Sequence, residues 1–95
     1  MSKDSASAGA YQQMTVTTVV NLATVPAQAT YAIIIPETNG IRWRDDGTDP
    51  TATVGMPVAA GATLVYDGDL SKIRVVSQTG TATVNVSYFV HRRSA

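Results

Sequence analysis

The sequence predicts an all-β fold, a small antiparallel β-sandwich or jelly-roll-like barrel of about six strands with an extended N-terminal arm. Three observations predict it. Apolar and β-branched residues alternate with polar ones at period two, most cleanly where Val84, Val86, Tyr88 and Val90 interleave with Thr83, Asn85, Ser87 and Phe89. Turn-forming residues punctuate the chain at roughly 8–12-residue spacing. No stretch of useful length repeats at the period of an α-helix.

Residues Met1 to Gly9 are small, polar and turn-prone, and read as a flexible arm: either a disordered tail or a segment that orders against a neighbouring subunit. Residues 10–95 then form a single β-sandwich domain, the number that a chain of 95 residues implies. Met14, Val16, Thr18, Val20 and Leu22 alternate with Gln13, Thr15, Thr17, Val19 and Asn21, which predicts the first strand. Val25-Pro26-Ala27 ends it, because proline cannot donate to a central ladder. Thr30 to Ile35 is the second strand, and its unbroken Ile33-Ile34-Ile35 run implies burial on both faces. Pro36 to Gly40 is a loop carrying the tight-turn dipeptide Asn39-Gly40. Ile41 to Arg44 is the third strand, with Ile41 and Trp43 on one face and Arg42 and Arg44 on the other.

Asp45 to Pro57 is the longest irregular stretch, punctuated by Gly47, Pro50, Gly55 and Pro57. Ala59-Ala60-Gly61 turns the chain into a fourth strand, Thr63 to Tyr66, and Asp67-Gly68-Asp69 turns it again. Lys72 to Gln78 is the fifth strand. After Thr79-Gly80-Thr81, Ala82 to Val90 is the sixth, closed by His91-Arg92-Arg93.

Composition excludes more than it specifies. The chain has no cysteine, so no disulfide or thiolate–metal framework holds it together. Seven basic and seven acidic residues give zero formal charge, against the basic excess expected of a nucleic-acid binder. No apolar run approaches the ~20 residues of a membrane helix. The N-terminus lacks the apolar segment of a secretory signal, so synthesis in a cytoplasm is expected.

Few residue groupings carry chemistry. Asp45, Asp46 and Asp49 surround Gly47 and have the hard oxygen donors a divalent cation needs, but not the spacing of the twelve-residue calcium loop. Turn formation and salt bridging to Arg42 or Arg44 account for them better, and no metal or other cofactor is expected. Arg42-Trp43-Arg44 resembles a stacking platform for bases but lacks a surrounding basic patch. Trp43 is therefore expected in the core or in a subunit contact. His91, the single histidine, sits at the end of the chain beside Arg92 and Arg93, where a surface role is expected rather than a base in a catalytic triad. No convergent set of titratable groups is evident, so no catalytic residue is expected and the protein is read as a non-enzyme.

One stretch is more distinctive than the rest. Ile41-Arg42-Trp43-Arg44-Asp45-Asp46-Gly47-Thr48, followed by Pro50-Thr51-Ala52 and Gly55-Met56-Pro57, resembles a family of small virion proteins of tailed bacteriophages. The similarity continues through Ala60-Gly61, Gly68, Leu70, Ile73-Arg74-Val75-Val76 and Val84-Asn85-Val86-Ser87-Tyr88-Phe89, so that it spans Thr30 to Phe89. The resemblance implies a virion structural protein made in the bacterial host. It points to a head decoration (cement) protein, a homotrimer that binds the major capsid protein or other virion subunits. The Arg42 to Pro57 unit is the expected contact surface, with Arg42, Trp43, Arg44, Asp45, Asp46 and Asp49 as its partner-binding residues and Met1 to Gly9 as a second contact. Two alternatives stand beside this: a tail, fibre or adaptor β-domain, and a carbohydrate-binding module using Tyr11, Tyr31, Trp43 or Tyr66.

Overall fold

The computed structural model describes residues Ser5–His91. It contains eight strands: β1 (Ser5–Val16), β2 (Val20–Asn21), β3 (Tyr31–Thr38), β4 (Ile41–Arg44), β5 (Met56–Val58), β6 (Leu64–Tyr66), β7 (Arg74–Ser77) and β8 (Ala82–His91). They form two four-stranded sheets, ordered β1-β8-β3-β6 and β2-β7-β4-β5, with every pairing antiparallel.

The number of strands differs from the six expected, and both additions have a local cause. The single strand expected over Met14 to Leu22 is split between the sheets: the chain bends at Thr17-Thr18 and resumes as β2. Val16 and Leu22 are buried on either side of this corner while Thr17 and Thr18 are exposed at it, so the alternation written in the sequence hides a break between the sheets. β5 is hidden in the sequence by Gly55 and Pro57. It is an edge strand, the position in which a proline's missing donor is tolerated.

The N-terminal boundary also differs. Ser5 to Gly9, assigned to the flexible arm from sequence, belong to β1, with Ser5, Ala6 and Ser7 opposite His91, Val90 and Phe89. A register irregularity separates Ser7 from Ala10. Met1 to Asp4, the rest of the expected arm, lie outside the described residues, as do Arg92 and Arg93.

Every connection passes from one sheet to the other except β4 to β5. The shortest is Asn39-Gly40. Instead of closing a hairpin it carries the chain from β3 in one sheet to β4 in the other, with Asn39 in the left-handed region at φ 63°. Asparagine tolerates that conformation better than most residues, and its amide is fixed by donating across to the Thr81 carbonyl before β8 at 2.8 Å.

The two sheets bury a common core. From one come Val16, Ala32, Ile34, Tyr66, Ala82, Val84, Val86 and Tyr88; from the other, Ile41, Val58 and Val75. Leu22, Leu70 and Ile73 fill the ends from connecting segments. Tyr88 is fully buried, and its hydroxyl donates to the Ala23 carbonyl at 3.2 Å. The Ile33-Ile34-Ile35 run is not buried on both faces. Ala32, Ile34 and Pro36 point into the core, while Tyr31, Ile33 and Ile35 lie half-buried on the outer face.

Candidate functional site

β4 places Arg42 and Arg44 on the outer face of the second sheet. The register sets Arg44 opposite Arg74 of β7, and Arg42 between Val76 and Pro57. Like charges directly opposite each other across a pair of strands repel. The β4–β5 loop supplies the compensation by folding back over this face.

Asp46 receives both hydrogen bonds of the Arg44 fork, at 3.1 Å from Nε and 2.5 Å from Nη2. Asp49 receives Arg74 Nη1 at 2.9 Å, and the same guanidinium reaches the Gly47 carbonyl at 3.2 Å. Arg42 was expected to pair with a carboxylate. Instead it binds loop backbone, donating to the carbonyls of Ala52 at 3.1 Å and Gly55 at 2.8 Å. Within the loop, Thr51 and Val54 exchange backbone hydrogen bonds at 2.8 and 3.3 Å, and Pro50 is fully buried. Gly55, at φ 138°, takes a conformation that an L side chain resists. A Cβ there would also lie 3.2 Å from each of Arg42 Cβ, Pro50 Cβ and the Trp43 carbonyl oxygen. The loop is therefore a packed, cross-braced unit.

Asp45 turns the other way, accepting a hydrogen bond from the Tyr66 hydroxyl at 2.8 Å. Burial, followed by the neighbouring Asp45 carboxylate, pushes the Tyr66 phenol well above its ordinary pKa. The Asp46 carboxyl is held below the usual aspartate range, chiefly by the Arg44 hydrogen bonds, and Arg44 is raised in return. Trp43 faces the core side of β4 and meets Tyr66 edge-on, with ring centroids 5.4 Å apart and planes at 70°. The expected core placement of Trp43 is thus met in part: it is half-buried and packs against the core cluster.

Trp43, Arg44, Asp45, Asp46, Val54, Gly55 and Met56 line an open depression of about 580 Å³. Val54 and Met56 are exposed in it, at 51% and 57%. A second depression of about 340 Å³ lies beside it, between Asp45, Asp46 and Gly47 on one side and Ser71, Lys72 and Arg74 on the other. The three aspartates considered for a cation are directed to three different partners, Tyr66, Arg44 and Arg74. Among the described residues no group of three histidines and carboxylates could hold a metal. The six residues expected to contact a partner thus form one unit. What the sequence did not indicate is that Arg74 and Tyr66 complete the unit, because cross-strand register and loop path bring them there.

A second surface gathers Tyr11 and Tyr31, two of the aromatics considered for a carbohydrate-binding groove, without Trp43 or Tyr66. On the outer face of the first sheet Tyr31 stacks on Phe89, with centroids 5.2 Å apart and planes at 15°. The register continues this row into Ile33 and Val65, then Tyr11 across Ser87. Val65 is 59% exposed and Tyr11 63%. Toward the other end the face becomes polar: Asn85 accepts from Tyr11 and from Gln13, and donates to Glu37.

No protein-family model matches this chain, and neither the curated proteins nor the solved structures contain a match to it.

Proposed function

We propose that this protein is a non-enzymatic structural component of a bacteriophage virion, and specifically a head decoration protein that binds and stabilises the capsid lattice. The observation that carries the reading is the strand order. Two four-stranded sheets ordered β1-β8-β3-β6 and β2-β7-β4-β5, with the chain passing between them at nearly every connection, have the connectivity of a double-sheet jelly roll. That architecture recurs in viral capsid domains and in lectins, so on its own it is a fold-level analogy. The Arg42 to Thr48 string, which resembles small phage virion proteins, narrows it.

The geometry is suited to the role. A decoration protein works by burying surface across neighbouring subunits, which needs a stiff scaffold and contact surfaces. The titratable side chains of the β4–β5 unit are spent on bracing that unit, and two surfaces with exposed apolar side chains remain available: the Trp43 depression and the Tyr31–Phe89 sheet face. Partner contact through the first would use Trp43, Arg44, Asp45 and Asp46 as a preformed surface, with Arg42 and Asp49 bracing the loop that forms it, at little entropic cost on binding.

The test is the number of copies of this chain per purified particle relative to the major capsid protein. A number that is a simple fraction of the capsid protein, repeated over the lattice, is expected. A few copies would move the protein to the tail, fibre or an adaptor, and absence from particles would remove the virion reading. The Trp43 depression, with an aromatic wall beside carboxylates and a guanidinium, also favours a second reading as a carbohydrate-binding module. Glycan binding that disappears in Trp43→Ala would decide for it.

A further inference from the structure

Gln12 lies on β1 opposite Val86 of β8, on the face that carries Met14 and Val16 toward the core. Its Nε2 is buried and, among the described side chains, is the one nitrogen or oxygen atom in that state without a hydrogen-bond partner. A buried donor left unpaired costs about 1–3 kcal/mol, so its persistence calls for an explanation.

The strand that carries it is also an edge. β8 pairs with one side of β1, and among the described residues no strand pairs with the other. Natural edges are kept short, charged, proline-bearing or bulged. The other edges follow this rule: β2 has two residues, β5 three including Pro57, and β6 three. β1 has twelve residues, Ser5–Val16, with neither a charge nor a proline. Its irregularity falls between Ser7 and Ala10, which leaves Tyr11 to Val16 regular.

We propose that β1 pairs antiparallel with β1 of a second copy of this chain, about a two-fold axis at Gln12. With its side chain turned from the interior toward the axis, each Gln12 carboxamide can donate an Nε2 hydrogen to the other's Oε1. A two-fold antiparallel pair centred on one residue sets that residue opposite itself, so Tyr11 faces the partner's Gln13 and Ala10 faces the partner's Met14. Such an interface must tolerate each side chain meeting its own kind, and an uncharged strand does so without like-charge repulsion. The chain's zero formal charge also removes long-range repulsion between copies. A strand from another protein would satisfy the free backbone equally well, but only a second β1 brings the reciprocal carboxamide. Three-fold assembly needs a head-to-tail contact between different surfaces, which a self-complementary edge does not supply. The inference does not depend on the virion reading.

Light scattering of the full chain over a wide concentration range should show a monomer–dimer equilibrium. Gln12→Glu and Gln12→Lys should each weaken the dimer by at least about tenfold, since like charges would then meet at the axis. Mixing the two variants should restore it, because opposite charges meet instead. A monomer at every concentration, a trimer, a dimer indifferent to both substitutions, or variants that stay monomeric when mixed would each overturn the proposal. Hydrogen exchange on the unaltered protein decides it even if the variants fold poorly. In the dimer every amide from Tyr11 to Gln13 is protected, one set by β8 and the intervening ones by the partner. Alternating fast and slow amides there at high concentration would overturn it.

Discussion

At the residue scale, single positions in the β4–β5 unit have separable physical roles. Gly55 combines a positive φ with close neighbours on three sides. Gly55→Ala is expected to lower stability by about 1–3 kcal/mol, the usual cost of a forced backbone conformation, read as a fall in the thermal midpoint. Asp46 and Asp69 are both held below the ordinary aspartate pKa, the first mainly by Arg44 and the second mainly by the Ser71 hydroxyl. A depressed carboxyl favours the folded state when ionised. The stabilisation is therefore complete above the unfolded value of about 3.9 and is lost as pH falls through the lower folded values. Thermal midpoints measured downward from neutral pH should begin to drop below about pH 4. Asp46→Asn should make that drop shallower; an unchanged profile would mean that the Arg44 pair does not persist in solution.

At the element scale, Arg42 is what ties the β4–β5 loop to the sheet. Its two donors end on the carbonyls of Ala52, inside the Thr51–Val54 turn, and of Gly55, just after it. Hydrogen bonds from a charged donor contribute about 1.5–3 kcal/mol each. Arg42→Ala should thus speed amide exchange at Thr51 and Val54 by about tenfold or more, with the β8 amides unaffected. Equal rates in the two proteins would show the loop to be held by Pro50 packing alone. The expected strands over Thr30 to Ile35, Ile41 to Arg44 and Ala82 to Val90 correspond to β3, β4 and β8: the last two alternate in sequence, and the first is marked by its β-branched Ile33-Ile34-Ile35 run. β2 and β5 were illegible for opposite reasons: β2 continues the alternation of β1 around a corner, while β5 is too short, and too full of Gly55 and Pro57, to show any.

For the whole molecule, the core is a single layer between two sheets, and its stability is shared across both. Ile34 sits fully buried on β3, between β6 and β8. Ile34→Ala should cost about 2–5 kcal/mol, measured by denaturant unfolding, from lost burial and the cavity left behind. A smaller loss would mean that the layer collapses around the gap. The charge pattern is also a property of the whole. Arg44 and Arg74 are thirty residues apart in the chain and would repel if placed opposite each other without Asp46 and Asp49.

The sequence by itself determined the all-β class, most of the long strands, and the identity of the Arg42 to Asp49 cluster. Those are local facts: alternation at period two and the preference of Asp, Gly and Pro for turns are written in neighbouring residues. Only the tertiary structure decided which sheet each strand joined, that Arg42 braces backbone rather than a carboxylate, and that Arg74 and Tyr66 complete the unit. It alone also stacked Tyr31 on Phe89 near the exposed Val65 on one sheet face and left the Gln12 Nε2 atom without a partner on the edge strand. These depend on register and on corners between sheets, where one residue of shift reverses every side chain, and no short-range pattern encodes that choice.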